Sequence, residues 1–107
     1  MKFKVKVQSY TTKEIDVEFP LFLRGGDMFD SGGWYESYHR IEQSGIEYKI
    51  VVNNRDEWQY EKKLDTQDLR ESLGYYLVES SDYSKIEAKE FNEKLEELKR
   101  ILGEVPT

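Results

Sequence analysis

The side chains of this 107-residue chain that could do chemistry are concentrated in one stretch, FLRGGDMFDSGGWYESYHR, at residues 22–40. It contains the only histidine, His39, and histidine is the usual general base near neutral pH. Ser37 would share a strand face with His39, but same-face neighbours in a strand lie about 7 Å apart. The sequence also lacks the nucleophile elbow G-x-S-x-G. We therefore do not expect a catalytic His39, and the chain is predicted not to be an enzyme.

Two glycine pairs in the same stretch raise the question of a phosphate or metal site. Neither G-x-G-x-x-G nor G-x-x-x-x-G-K-[ST] is present, and Asp27 and Asp30 between the pairs would repel a phosphate. The spacing of these aspartates does not fit a calcium loop. Because the chain has no cysteine, His39 has no thiolate with which to hold zinc. We expect neither a cofactor nor a bound metal.

Aromatic residues make binding the better hypothesis. The chain has two tryptophans, eight tyrosines and five phenylalanines, more than one buried sheet face would accommodate beside the aliphatic residues. Tyr35 and Tyr38 are three positions apart in a strand, so they must point to opposite faces. Alternatively, the tyrosines simply cover a half-exposed sheet for which they have high propensity. The candidate binding residues are Arg24, Met28, Phe29, Trp34, Tyr35, Tyr38, His39, Arg40, Trp58 and Tyr60.

A ten-residue loop at 24–33 is expected between two strands, which is long for a hairpin of a compact domain. Loops of this length are often functional. Met28 and Phe29 in its middle have no periodic reason to be buried. Two alternatives stay open, because the apolar tip could insert into a partner or fold back onto the sheet.

Alternating apolar and polar residues predict a series of strands. Two at 2–8 and 14–19 would form a hairpin over a turn at 10–13, with the lysines of the first facing the acids of the second. Pro20 interrupts the second strand, which then continues to residue 23. Four further strands are expected, at 34–42, 46–52, 57–64 and, for the segment YYLVES, 75–80.

Two helices are predicted after these strands. An apolar stripe at intervals of three and four predicts a C-terminal helix over about 85–102, with a capping box beginning at Ser84 and a stop at Gly103. A short helix near 66–73 would be capped by Asp65 or Thr66 and end at Gly74. Residues 104–107 are expected to fray.

Taken together, these elements predict one α+β domain over residues 1–107. Its antiparallel meander sheet of five or six strands would be packed on one face by the C-terminal amphipathic helix, giving two layers.

The net charge of −6 bears on partners. The acidic balance disfavours direct nucleic-acid binding, whereas an acidic surface could occupy the basic groove of a partner protein. No apolar stretch is long enough to span a membrane, and the first residues do not resemble a signal peptide. We expect a cytoplasmic location.

No family motif is recognised in the sequence, so the functional hypotheses come from the residues alone. The leading one is a small, acidic, non-enzymatic protein that binds a protein partner through the aromatic sheet face and the 24–33 loop. One version is an inhibitor of a basic, nucleic-acid-binding surface, of phage or mobile-element type. The alternative is a domain that binds an anionic small molecule, a nucleotide or a sugar, with Arg24 and Arg40 contacting an anionic group. The sequence does not indicate an oligomeric state.

Overall fold

The computed structural model of the chain describes residues 1–7, 11–64 and 69–103. Tyr10 of the predicted turn, the predicted caps Asp65 and Thr66, and the C-terminal segment 104–107 lie outside these residues, whereas residues 11–13 of that turn belong to a strand. The elements are β1 (Lys2–Val7), β2 (Thr11–Asp16), β3 (Leu21–Met28), β4 (Trp34–Ile41), β5 (Ile46–Asn53), β6 (Trp58–Leu64), α1 (Leu69–Gly74), a π-helix (Tyr75–Glu79), β7 (Ser84–Lys85) and α2 (Ala88–Leu102).

An antiparallel sheet of five strands, in the order β6-β5-β4-β3-β7, forms the centre of the protein. Strands β3 to β6 follow one another as a meander, because each pairs with the next across a short connection. Strands β1 and β2 form a separate two-stranded sheet. The predicted α+β class, with a C-terminal helix on the sheet and a short helix after β6, is confirmed.

The β1–β2 hairpin pairs a basic row with an acidic row, as the alternation predicted. Lys2 is opposite Asp16 and Lys4 is opposite Glu14. The N-terminal ammonium lies 3.1 Å from the Asp16 carboxylate, and Lys2 Nζ lies 3.7 Å from Glu14. These pairs are exposed, so each stabilises the hairpin by only a few tenths of a kcal/mol. Their main effect is on register, since a slip by one residue would place like charges together.

The central sheet is covered on both faces. On one face, the β1–β2 hairpin, α1 and the π-helix pack over β3 and β4 around a first core cluster. On the other face, α2 packs over the sheet around a second cluster. The prediction placed only this helix on the sheet, so the cover formed by the β1–β2 hairpin, α1 and the π-helix was not expected. The first cluster consists of Val5, Val17, Leu21, Leu23, Ile41 and Leu73, and the second of Tyr38, Ile50, Phe91 and Leu98.

The predicted sixth strand YYLVES is wrong, because this segment is a π-helix. Gly74 has helical dihedral angles (φ −59°, ψ −44°) and therefore does not end the helix as expected. The chain continues directly into Tyr75–Glu79, and the Ser80 amide donates to the Tyr75 carbonyl. Tyr76, Leu77 and Val78 pack against the first core cluster. A short apolar run has no periodicity that separates a strand from a buried helical turn.

The predicted loop at 24–33 is too long, because β3 continues to Met28. The glycine pair at 25 and 26 belongs to the strand, where the residues face Ser37 and Glu36 of β4. Gly25 is required by packing, since a Cβ there would lie 2.7 Å from the ring of Tyr83. The connection is therefore the five residues 29–33, with Gly32 at a φ of +88°.

Helix α2 begins at Ala88, three residues later than predicted. Ser84 and Lys85 instead pair with β3 as a short edge strand, so the expected capping box does not form. The N-cap is Glu87, which makes no side-chain hydrogen bond to the helix. The predicted stop is confirmed, because Gly103 adopts a φ of +81° and its amide donates to the Lys99 carbonyl.

Replacing Phe91 tests the packing of α2 on the sheet. Phe91 is 1% exposed, and its ring centroid lies 5.6 Å from that of Phe22. We expect Phe91→Ala to lower the free energy of unfolding by about 3–5 kcal/mol, because the substitution leaves a cavity between helix and sheet. Urea denaturation followed by circular dichroism measures this loss. Asn92→Ala, on the exposed side of the same helix, is the control, and equal losses for both variants would contradict the packing.

Candidate functional site

The ten predicted binding residues do not form one surface. The structure divides them among the end of the β3–β4 hairpin, the sheet face under α2, and the opposite sheet face. Of these three places, only the hairpin end presents large apolar side chains to solvent. There, Met28, Phe29 and Trp34 are 74%, 53% and 39% exposed, and we call these three residues the tip patch.

The tip patch is built on the last pair of the β3–β4 ladder. Met28 faces Trp34 across the two strands, and the Phe29 amide donates to the Gly33 carbonyl at 2.7 Å. The Phe29 ring lies 5.8 Å from the ring of Tyr35, which is half-buried. The patch therefore rests on regular strand structure and a closed five-residue turn.

The neighbouring turn between β5 and β6 holds the tip patch in place. The Asn54 backbone amide donates to the Trp34 carbonyl at 3.0 Å, and the Trp34 backbone amide donates to Asn54 Oδ1 at 3.2 Å. Asn53 Oδ1 accepts the amides of Arg55 and Glu57, which closes the turn. Two turns thus join into one sheet end, so the backbone beneath the apolar side chains is preorganised.

Acidic residues are frequent in the turns that form the end of the sheet at the tip patch. Four exposed carboxylates lie in the two turns and the adjoining ends of their strands, whereas Arg55 is the only base at 27–34 and 53–58. One carboxylate also orients Trp58, whose indole N–H donates to Asp56 at 2.9 Å. We call these four carboxylates the acidic rim of the tip patch. The four rim residues are Asp27, Asp30, Asp56 and Glu57.

Tyr38 cannot take part in a binding surface, because α2 covers it. It is 2% exposed and donates its hydroxyl hydrogen to Glu36 at 2.9 Å. Burial and this hydrogen bond raise the pKa of Tyr38 to about 12. Lys94 of α2 lies 5.4 Å from the centre of its ring. Trp58 and Tyr60 are half-buried against the same cluster, so the helix also covers much of the predicted aromatic face.

The two arginines that were expected to hold an anion already have partners. Arg24 donates to Glu36 at 2.8 Å, and Arg40 lies 2.6 Å from Glu42. The Arg40 guanidinium also lies 5.4 Å from the centre of the Tyr48 ring. Each cation is thus paired with a carboxylate, which weakens the case for an anionic ligand.

His39 lies on the opposite sheet face and is 1% exposed, so it is no part of a binding surface. Its Nδ1 lies 3.0 Å from Glu47 Oε1, and its Nε2 lies 2.9 Å from Ser37 Oγ. The expectation that Ser37 would be too far away was wrong, because the two side chains lean towards each other along the strand. Glu47 also accepts the Tyr76 hydroxyl at 2.8 Å and lies 3.7 Å from Lys63 Nζ.

This buried network has the connectivity of a serine–histidine–carboxylate triad. Nδ1 of His39 is hydrogen-bonded to the Glu47 carboxylate, and Nε2 of the same ring is hydrogen-bonded to the Ser37 hydroxyl. However, Ser37 is 3% exposed, and the ring of Tyr83 packs over the adjacent Gly25. A substrate carbonyl has no room to approach Ser37 Oγ in this conformation. The network satisfies the polar groups that the hairpin and π-helix bury.

Sequence reasoning missed Glu47, because its alternation with apolar residues in β5 indicated an exposed position. Burial would raise the pKa of Glu47, but the hydrogen bonds from His39 and Tyr76, together with the charges of His39 and Lys63, lower it below its ordinary value. The ionised form is therefore favoured in the folded state. No pattern in the sequence signals that a second layer covers this face.

The described residues contain no group of three histidine, cysteine or acidic side chains that could hold a metal ion. Nor does any helix within residues 1–7, 11–64 and 69–103 have the length and apolar character needed to cross a bilayer. No protein-family model, curated protein or solved structure matches the chain.

Glu47→Gln tests the buried network. We expect a loss of about 1–3 kcal/mol in the free energy of unfolding near neutral pH, because the amide cannot accept all the donors around it. Since the folded-state pKa of Glu47 is lowered, the contribution of its carboxylate is complete above the ordinary value of 4.5 and is lost as the pH falls through the folded-state value.

The difference between wild type and Glu47→Gln should therefore narrow on acidification, as measured by denaturation between about pH 7 and about pH 3. Glu61→Gln, on an exposed position of the neighbouring strand, should show neither the loss nor the narrowing. A constant difference across this range would contradict the network as described.

Proposed function

We propose that this protein is a small, non-enzymatic binding protein whose tip patch docks into an apolar pocket within a basic surface of a partner protein. The observation that carries the proposal is the exposure of Met28, Phe29 and Trp34 within a rim of carboxylates. Isolated apolar residues are common on protein surfaces, but three large ones at the end of a single hairpin are typical of an interface centre.

The anchoring of the hairpin end supports a role in binding. Association costs less when the contacting groups are already ordered, because less conformational entropy is lost. The reciprocal hydrogen bonds between Trp34 and Asn54 keep the two turns together before a partner arrives. Tryptophan and phenylalanine also bury large areas with few rotatable bonds, which makes them efficient anchors.

The charge of the rim favours a basic partner. Asp27, Asp30, Asp56 and Glu57 are exposed in the two turns and strand ends that carry the patch, and the whole chain carries a net charge of −6. Complementary charge accelerates encounter with a basic surface and disfavours nucleic acid itself. If the bound surface normally contacts nucleic acid, the protein would act as its inhibitor in the cytoplasm.

A small-molecule binding domain is the second candidate. An open groove of about 560 Å³ is lined by Met28 and Trp34 of the tip patch together with residues 24–27 and 35–36. It ranks lower because Arg24, the one cation in its lining, is paired with Glu36. A neutral sugar or a base would fit this groove better than an anion.

The variant Phe29→Ser with Trp34→Ser tests the tip patch. Partners captured from a cell lysate by the wild type and identified by mass spectrometry should be basic proteins that the double variant no longer recovers. With a purified partner, the dissociation constant should rise at least about tenfold, because anchors at an interface centre carry most of the binding energy.

Ile101→Ser with Leu102→Ser is the matched control, since these residues are each 49% exposed on the end of α2. This control should bind as the wild type does. Equal recovery of the same partners by both double variants would show that the tip patch is not the binding surface.

Asp30→Lys tests the contribution of the acidic rim. We expect it to slow association with the captured partner and to reduce the dependence of affinity on salt, because one carboxylate that faces the basic surface is reversed. Surface plasmon resonance at several ionic strengths measures both effects. An unchanged association rate and an unchanged salt dependence of affinity would contradict the role of charge complementarity in binding.

A further inference from the structure

The edge of β3 beside the tip patch has backbone groups that no described strand uses. Strand β7 pairs with β3 only at Leu23 and Arg24, and residues 81 and 82 before it form a bend. Within residues 1–7, 11–64 and 69–103, the stretch 26–28 of β3 therefore has β4 as its only strand neighbour. Edges of this kind can accept an added strand.

The ladder determines which backbone groups of β3 point away from β4. The Ile86 amide donates to the Phe22 carbonyl, so alternate residues counted from Phe22 direct their amides and carbonyls to the outer side. Gly26 and Met28 belong to this set. The Met28 amide is already satisfied by Asp27 Oδ1 at 2.8 Å. The edge therefore offers the amide and carbonyl of Gly26 and the carbonyl of Met28.

A gap between side chains lies directly beside these backbone groups. Gly26 has no side chain, which leaves a space between those of Arg24 and Met28 on the same face of β3. The open groove of about 560 Å³ lies at this place, and its lining includes Met28 and Trp34 of the tip patch and also Glu36. The gap is therefore continuous with the tip patch.

We propose that the partner docks on the tip patch with an extended segment that pairs antiparallel with residues 26–28 as an added edge strand. The inference rests on the proposed function and names the partner's binding element. The residue opposite Gly26 is aromatic, since an aromatic ring covers an edge glycine well and here also contacts Trp34. About three backbone hydrogen bonds with β3 fix the register.

Charge selects the neighbours of that aromatic residue. Successive side chains of a strand alternate between faces, so the residues before and after the aromatic one lie on the sheet face that carries Asp27. Asp27 is exposed, and its carboxylate favours lysine or arginine at these two positions. The expected motif is an aromatic residue between two basic residues, which agrees with a basic partner.

Peptides selected from a phage-displayed random library test the motif. The library is first depleted on the variant Phe29→Ser with Trp34→Ser and then selected on the wild type, so that the retained peptides depend on the tip patch. We expect them to share an aromatic residue between two basic residues.

N-methylation of single backbone amides in a selected synthetic peptide tests the strand pairing. The edge is probed from the peptide because a Cβ at Gly26 would lie 2.6 Å from the Tyr35 carbonyl oxygen. Methylation of the aromatic residue's amide should raise the dissociation constant at least about tenfold, since a hydrogen bond to Gly26 is replaced by a steric clash. Methylation of either adjacent basic residue, whose amide points away from β3, is the control and should change little.

Hydrogen exchange of the Gly26 amide, followed by NMR, tests the same pairing in the protein. This amide should exchange fast in the free protein, whereas the amides of Gly25 and Asp27 point towards β4 and should exchange slowly in both states. With the peptide at about 100 times its dissociation constant, exchange at Gly26 should slow at least about tenfold.

The outcomes separate this inference from the proposed function. A selection without any peptide that depends on the tip patch overturns the extended segment, whereas the proposed function is judged by the capture of basic proteins through the same patch. Peptides that need the tip patch but neither protect the Gly26 amide nor lose affinity on N-methylation overturn only the added strand. A Gly26 amide that becomes protected in the free protein as its concentration rises would place a second copy of the chain at this edge, which also overturns the proposal.

Discussion

Strand β4 is buried on both of its faces, and the rest of the structure is arranged around this constraint. Ser37, Tyr38 and His39 are consecutive, yet each is at most 3% exposed. Since neighbouring side chains of a strand point to opposite faces, the sheet needs a cover on each side. Helix α2 supplies one cover, and the β1–β2 hairpin supplies the other with α1 and the π-helix. The end of the sheet, where Met28, Phe29 and Trp34 lie, stays exposed.

This double cover separates the groups that could do chemistry from those that can meet a partner. His39, Ser37 and Glu47 have the connectivity of a hydrolytic triad, but they are buried and satisfy one another's hydrogen bonds in the interior. Met28 and Phe29, which offer no acid, base or nucleophile for catalysis, are exposed to solvent.

The errors of sequence reasoning have a common physical cause. The segment YYLVES was expected as a strand because it is short and apolar, but it packs against the first core cluster as a π-helix. Gly25 was expected in a loop, whereas it is a strand residue that makes room for the Tyr83 ring. In both places a contact with a distant part of the chain decides the local conformation.

Local pattern by itself determined the alternating strands, the antiparallel order from β4 to β6, the apolar stripe of α2 and the stop at Gly103. These features depend on side-chain periodicity and on glycine's freedom at positive φ, which are properties of neighbouring residues. Only the tertiary structure decided that both sheet faces are covered, that Tyr38 and His39 are buried, and that the tip patch stays exposed. Burial is a relation between segments far apart in the chain, so no local period encodes it.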